Sequence, residues 1–310
     1  MKLSIVVPCY NEQEVLPEVV PRMVAFLNRA VGAGKVDPQS EVIFVDDGSE
    51  DKTWQLIRAS HESEPRIRGV KLSANRGHQT ALMAGLFAAD GDAVVSIDAD
   101  LQDEIGAMEA MVDEFRRGFD VVYGVRDKRD SDDAFKRLTA IWYYRMLSAL
   151  GVKVVFNHAD YRLLSRRALE ALKSYSEVNL FLRGIVPLIG FRTTTVYYNR
   201  AERYAGKSKY PVRRMLALAV DGITSFTALP LRMIAIFGVM VSLASVGLTI
   251  WALWIRLFTD QALPGWASSV IPIYFLGGIQ LLSIGVLGEY VAKTYVETKR
   301  RPRYFIEEQL

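Results

Sequence analysis

Cysteine is nearly missing from this chain: Cys9 is the single one among 310 residues. No internal disulfide can form, which fits a reducing compartment. Cys9 itself lies in an apolar run and reads as a small buried hydrophobe. A strong charge of either sign is missing too. Lys and Arg number 38 against 35 Asp and Glu, a net charge of +3. A nucleic-acid binder would show a larger basic excess on one face, so that class is set aside. No G-x-G-x-x-G follows the first strand-like run, which argues against a dinucleotide fold, and no Walker phosphate loop is present. The opening MKLSIVVPCYNE has an apolar core too short for a signal peptide and runs straight into Pro and charge. It reads as a first β-strand.

What is present is apolar. Half the residues are hydrophobic and the mean hydropathy is +0.12. A soluble domain plus a few membrane spans fits these values. Across residues 1–210, short β-branched runs (3–8, 41–47, 69–73, 93–100, 120–126) alternate with helix-compatible stretches (15–31, 52–62, 79–89, 105–117). Such alternation predicts a mostly parallel sheet covered by helices on both faces. Ligands of an open sheet of this kind bind beyond the carboxyl ends of its strands. Those ends carry Asn11 and Glu12, Asp46 and Asp47, Asp98 and Asp100, and Arg126.

The remainder differs. Residues 211–231 mix apolar side chains with Arg213, Arg214 and Asp221 and read as amphipathic, interfacial helix. Within 232–292, Met233–Trp254 and Ser268–Gly288 are uncharged runs of spanning length. Their outer flanks are basic, and the loop between them has no Lys or Arg after Arg256. The positive-inside rule then places residues 1–210 and the tail 293–310 in the cytoplasm, on the membrane of a multi-pass protein.

Three constellations carry chemistry. In Asp98-Ala99-Asp100-Leu101-Gln102-Asp103, carboxylates on alternate residues at a strand end can converge on one divalent cation. Oxygen ligands suit Mg²⁺ or Mn²⁺, with Gln102 a third donor. Such a metal would neutralise a departing diphosphate. In Asp46-Asp47-Gly48-Ser49-Glu50-Asp51, a tight turn at Gly48 leads to a helix capped by Ser49 or Asp51. Asp46 or Asp47 would accept hydrogen bonds from a nucleotide base or ribose. In Pro8-Cys9-Tyr10-Asn11-Glu12, Tyr10 would face a base and Glu12 a ribose.

Together, in this order and spacing, these motifs resemble inverting glycosyltransferases of family 2, with the GT-A fold, and more closely the polyprenyl-phosphate glycosyltransferases. Asn75-Arg76-Gly77-His78-Gln79-Thr80-Ala81, Asp160-Tyr161-Arg162-Leu163 and Glu202-Arg203-Tyr204-Ala205-Gly206-Lys207-Ser208-Lys209-Tyr210 are similar to further segments of that family. So are Gly288-Glu289-Tyr290 and the tail around Arg301-Pro302. The resemblance implies an α/β GT-A fold followed by interfacial helices and two transmembrane helices. It implies a metal held by Asp98, Asp100 and Gln102. It implies a nucleotide pocket lined by Pro8, Tyr10, Asn11, Glu12, Asp46, Asp47 and Asp98. It places Arg126, Arg137, Arg203, Ser208 and Lys209 near the acceptor phosphate, and makes Asp100, Asp160, Arg126 and Arg203 the catalytic set. Guanidinium groups bind phosphate oxygens bidentately, which suits that assignment.

The implied reaction is in-line attack by a phosphate oxygen of a polyprenyl (undecaprenyl) phosphate on the anomeric carbon of a nucleotide-sugar. A phosphate monoester is already ionised near neutral pH, so no strong base is needed. Asp160 is then an orienting group or a weak base. His78 lies in a motif loop close to the donor; His61 and His158 read as ordinary turn residues. UDP-glucose is the first donor expected, with other nucleotide-sugars open, and relatives imply a homotetramer at a bacterial inner membrane. Two rivals are a processive polysaccharide synthase and a non-enzymatic membrane scaffold or nucleotide-sugar sensor. The first would carry Arg-Trp before its spans, and none of the five tryptophans follows an Arg. The second would not be expected to keep both acid pairs.

Overall fold

The computed structural model describes residues 1–126, 158–175, 177, 182–199, 229–258 and 265–310. Two compact units emerge. The first comprises Met1–Ala149, Lys153–Pro211 and Arg300–Leu310, the second Leu150–Val152 and Val212–Lys299.

The first unit is built on an eight-stranded sheet. In chain order its elements are β1 (Leu3–Cys9), α1 (Leu16–Gly32), β2 (Glu41–Asp46), α2 (Thr53–Ser63), β3 (Ile67–Leu72), α3 (His78–Ala88), β4 (Ala93–Ser96), α4 (Ala107–Arg116), β5 (Val121–Arg126), β6 (His158–Ser165), α5 (Arg166–Lys173), α6 (Leu182–Leu188) and β7 (Thr193–Tyr198). The chain returns at its end with β8 (Ile306–Gln309). The spatial order is β7-β5-β6-β4-β1-β2-β3-β8. Strands β4, β1, β2 and β3 run parallel. β6 runs antiparallel between β4 and β5, and β8 antiparallel to β3. The GT-A-type α/β sheet with a parallel centre is therefore present.

The parallel centre forms because its strands are apolar on both faces. All seven residues of β1 and all six of β2 are buried. Such strands need helices on each side. On one face α1 supplies Leu16, Val19, Met23, Phe26 and Leu27 at helical spacing. On the other, α3 is buried nearly all round, from Ala81 to Leu86. It can lie that close because of Gly85, where a Cβ would stand 2.4 Å from a Val6 methyl.

Two boundaries differ from the sequence reading. The fourth strand, expected over 93–100, ends at Ser96, and Asp98 and Asp100 follow it in a turn. The final residues, expected as a tail, complete the sheet instead. Glu308 accepts from Trp54 Nε1 at 3.0 Å and from Arg58, Lys71 pairs with Glu307, and the Leu310 amide donates to Gly69 O. A short, charged strand on the edge of β3 closes an apolar edge that would otherwise pair with other chains.

The second unit contains α7 (Leu229–Phe258), 30 residues long, and α8 (Gly265–Lys299), 35 residues long. The uncharged runs 233–254 and 268–288 fall inside them. Exposed side chains of α7 include Met233, Ile236, Val239, Leu243, Ile250 and Trp254. Side chains are described at only some positions of each helix, and over those residues alone no helix is long and apolar enough to cross a membrane. Residues 211–228, with the interfacial segment expected there, lie outside the described residues.

Candidate active site

The order β4-β1-β2 brings three strand ends to one crest, and each turns into a polar loop. Two of these loops are sewn together. The Asn11 amide donates to Ser49 Oγ at 2.9 Å, the Glu50 amide to Asn11 Oδ1 at 2.9 Å, and the Glu12 amide to Thr53 Oγ1 at 2.8 Å. Asn11 takes a left-handed φ of 56° to do so. Its side chain is thus spent on the neighbouring loop. Tyr10 is exposed at the crest, whereas Pro8 is buried within β1 opposite Val45.

The Asp46–Asp47 pair divides its work. Asp47 accepts from the amides of Arg76 at 2.7 Å and Gly77 at 2.8 Å, which pins the loop leading to α3. Gly48 lies under that loop at φ 67°, and a Cβ there would stand 2.6 Å from the Asn75 nitrogen. Asp46 accepts from the Ser49 amide at 3.3 Å through Oδ1. Its Oδ2 is buried without a partner among the described residues. Burial pushes the pKa of both carboxyls up. Asp51, not Ser49, serves the start of α2, accepting from Thr53 N at 2.9 Å.

After β4, Ile97 and Ala99 are buried while Asp98 and Asp100 are half-buried. The burial alternation therefore continues past the last ladder bond and leaves both carboxylates partly exposed. Leu101, at φ 57°, then reverses the chain. Asp100 Oδ1 accepts from the Gln102 amide at 3.2 Å, and His78 Nε2 lies 2.9 Å from Asp98 Oδ1. Burial works against the imidazolium, but the Asp98 hydrogen bond and charge outweigh it and raise the His78 pKa. Among the described residues no three or more His, Cys, Asp or Glu gather into a metal cage. The set Asp98, Asp100 and Gln102 fits a different case, a hard cation held by one or two carboxylates together with substrate phosphates.

On β6, Asp160 and Arg162 share one face and Tyr161 has the other. Asp160 Oδ1 accepts from Arg162 Nη2 at 2.5 Å and Oδ2 from Arg183 Nη2 at 3.2 Å. Desolvation favours protonation of Asp160, yet the two guanidinium groups prevail and hold it far below the usual carboxylate range. Asp160 is therefore no base in this arrangement; it orients arginines. Arg162, almost fully buried, also donates to Leu182 O at the start of α6. On the opposite face, Arg126 at the end of β5 donates to Tyr198 Oη and Asp103 Oδ1, each at 3.3 Å. A cavity of about 570 Å³ lies beside this network, between α1 and the loop Leu101–Ile105, and touches none of Asp46, Asp98 and Asp100.

The structure thus gathers Tyr10, Glu12, Asp46, Asp47, Asp98, Asp100 and Gln102 on neighbouring loops at one crest. Arg137, Arg203, Ser208 and Lys209 lie outside the described residues. The sequence reading left out Arg183, Arg162, Tyr198 and Asp103 as site residues. Asp103 had a signal, its place in the Asp98–Asp103 motif. Arg162 had one too, its place in the Asp160–Leu163 segment, whereas Arg183 and Tyr198 had none that an isolated chain displays.

A parallel sheet that gathers two acid pairs at one crest, beside a buried cluster of arginines and a carboxylate, has the make-up of a glycosyltransferase. Comparison with known proteins agrees. The family described as "Glycosyl transferase family 2" matches residues 4–173. An uncharacterised glycosyltransferase of Bacillus subtilis, YkoT, is 45% identical over 98% of this chain and 91% of its own. The bactoprenol glucosyl transferase of Shigella phage SfV is 38% identical over 100% of this chain and 99% of its own. A solved glucosyl-3-phosphoglycerate synthase from Mycobacterium tuberculosis shows a looser likeness, TM-score 0.49 at 22% identity, over 72% of this chain and 76% of that one. The chain belongs to glycosyl transferase family 2. The resemblance to polyprenyl-phosphate glycosyltransferases and the expectation of an enzyme are borne out.

Proposed function

We propose that this enzyme transfers a hexose from a nucleotide-sugar, UDP-glucose in the first instance, to undecaprenyl phosphate with inversion at the anomeric carbon. The observation that carries the reading is the partly exposed pair Asp98 and Asp100 on the crest, next to the loops of Tyr10, Glu12 and Asp46. The acceptor class is supported by 38% identity, over nearly the whole chain, to proteins named bactoprenol glucosyl transferases.

In this reading Tyr10, Glu12 and the orphaned Asp46 Oδ2 receive the nucleoside. Asp98, Asp100 and Gln102 hold Mg²⁺ or Mn²⁺, which supplies positive charge for the departing diphosphate. Arg126, together with Arg137, Arg203, Ser208 and Lys209, binds the acceptor phosphate. That phosphate has a second pKa near 6 and needs no base, which agrees with the engagement of Asp160 by two arginines. Positioning and electrostatics supply the rate.

In the same proposal the helices α7 and α8 span the inner membrane of a bacterium, with the catalytic unit and both termini on the cytoplasmic side. At the helical rise 30 residues reach about 45 Å, more than the roughly 30 Å of bilayer hydrocarbon. Their exposed Met, Ile, Val, Leu and Trp side chains suit lipid better than water. The sheet receives strands from before and after both helices, so the number of crossings is even. A homotetramer is part of the same proposal.

The test uses protein purified in detergent, undecaprenyl phosphate, Mn²⁺ and a panel of labelled nucleotide-sugars. Label from one donor entering the organic phase, and lost on chelation, is the expected result. Label entering a growing saccharide instead would make the chain a polysaccharide synthase. Turnover that survives chelation would remove the metal from the reading.

A further inference from the structure

Arg126 is held by a network that spans three strands and the acidic loop. Tyr198, the last residue of β7, donates from its hydroxyl to Asp103 Oδ1 at 2.6 Å and accepts from Arg126 Nε at 3.3 Å. Arg126 Nη2 reaches the same Asp103 oxygen at 3.3 Å. The Tyr198 ring is buried and packs edge-on against Tyr161, centroids 5.2 Å apart at 78°. Tyr161 is anchored in turn, its hydroxyl donating to Glu104 O at 2.9 Å. Both tyrosines and Asp103 are almost fully buried, so none of them meets a ligand broadly.

We infer that Tyr198 is a positioning residue for acceptor binding: its hydroxyl, clamped by Asp103 and backed by Tyr161, sets the plane in which Arg126 meets the acceptor phosphate. The inference rests on the reading of Arg126 as an acceptor-phosphate ligand. A guanidinium is a planar fork, and binding it at Nε and at one Nη fixes that plane. A misplaced fork loses the bidentate geometry that makes Arg–phosphate contacts strong. Burial and the neighbouring Asp103 keep the Tyr198 hydroxyl protonated far above neutral pH, so the direction of this hydrogen-bond chain does not change. Phenylalanine at 198 would keep the ring packing and remove only the clamp.

The test is a kinetic split in the full-length protein, with undecaprenyl phosphate and nucleotide-sugar varied separately. Tyr198→Phe is expected to raise the acceptor KM about tenfold, the size of one hydrogen bond to a charged group. The donor KM and nucleotide affinity stay unchanged. Arg126→Gln is expected to raise the acceptor KM further, and the double variant to match Arg126→Gln alone, because Tyr198 acts through Arg126. Should Tyr198→Phe fail to fold, Asp103→Asn carries the same expectation. An acceptor KM that responds to Arg126→Gln but not to Tyr198→Phe overturns the inference alone. Equal changes in donor and acceptor KM, or full additivity in the double variant, make the hydroxyl merely structural and overturn it too. An acceptor KM untouched by Arg126→Gln overturns the reading of Arg126 beneath it.

Discussion

The two halves of the crest are built differently. On the side of β1, β2 and β4, loops are fixed by backbone amides given to nearby side chains: Asn11 to Ser49, Glu50 to Asn11, Arg76 and Gly77 to Asp47. On the side of β5, β6 and β7, buried ions hold one another: Asp160 with Arg162 and Arg183, Asp103 with Arg126 and Tyr198. The first construction leaves Asp98 and Asp100 partly exposed, where the proposed function would use them for a cation and a nucleotide. The second backs guanidinium groups with carboxylates, and in the proposed function Arg126 is the one that would meet an anion. A donor side made by backbone geometry should tolerate loss of one polar contact; an acceptor side made of buried charge should not.

The largest effect is expected where the donor side stops being scaffold. Asp100→Asn should lower turnover by about 10³-fold, within the range for losing a charge that stabilises the leaving group, with the melting midpoint unchanged. Activity near wild type would dissolve the proposed metal role. The acceptor side should break as structure. Asp160→Asn leaves Arg162 buried with no anion, and about 3–5 kcal/mol of stability should go with it in a denaturant titration. The sign with pH follows from the depressed Asp160 pKa. Its contribution is complete above the unfolded carboxyl value of about 3.9 and is lost as pH falls below that toward the folded value. Wild type should therefore lose stability on acidification from pH 5 to pH 3 more steeply than Asp160→Asn; parallel curves would contradict the ion cluster.

Gly48→Ala comes next. A left-handed residue and a Cβ 2.6 Å from the Asn75 nitrogen should together cost about 2 kcal/mol and weaken nucleotide binding through the Asp47 loop. Calorimetric nucleotide titration and a melting curve would measure both. Asn11→Ala should be mildest, about 1 kcal/mol of stability for one lost hydrogen bond, with nucleotide affinity changed only a few-fold. A hundredfold loss of affinity would mean that Asn11 touches the nucleotide and that the two halves are less distinct than their hydrogen bonds suggest.

The donor half was legible because its information is local. Helices α1 to α4 lie within two residues of their expected bounds, and the acids follow strands that the apolar runs mark. Asp98 and Asp100 were legible although their strand was drawn too long, since the buried–exposed alternation runs past the last ladder bond. In the other half Arg126 and Asp160 were named, but their partners were not legible. Arg162 meets Leu182, Arg183 meets Asp160, and Tyr198 meets Asp103 across 95 positions of sequence. An arginine's charge is visible in the chain, but the carboxylate that will restrain it is not.

The sequence alone thus determined the alternation of strands and helices, the placement of acids after β1, β2 and β4, and the two long apolar runs. Each is a periodic or adjacent pattern that a chain imposes on itself before it packs. Only tertiary structure decided that β6 and β8 run antiparallel to their neighbours, that Asp47 is spent on a loop while Asp46 keeps an orphaned oxygen, and that Tyr198 clamps Arg126. The reason is desolvation: a polar group takes its partner from whatever folding brings beside it, and burial makes leaving it unpaired costly.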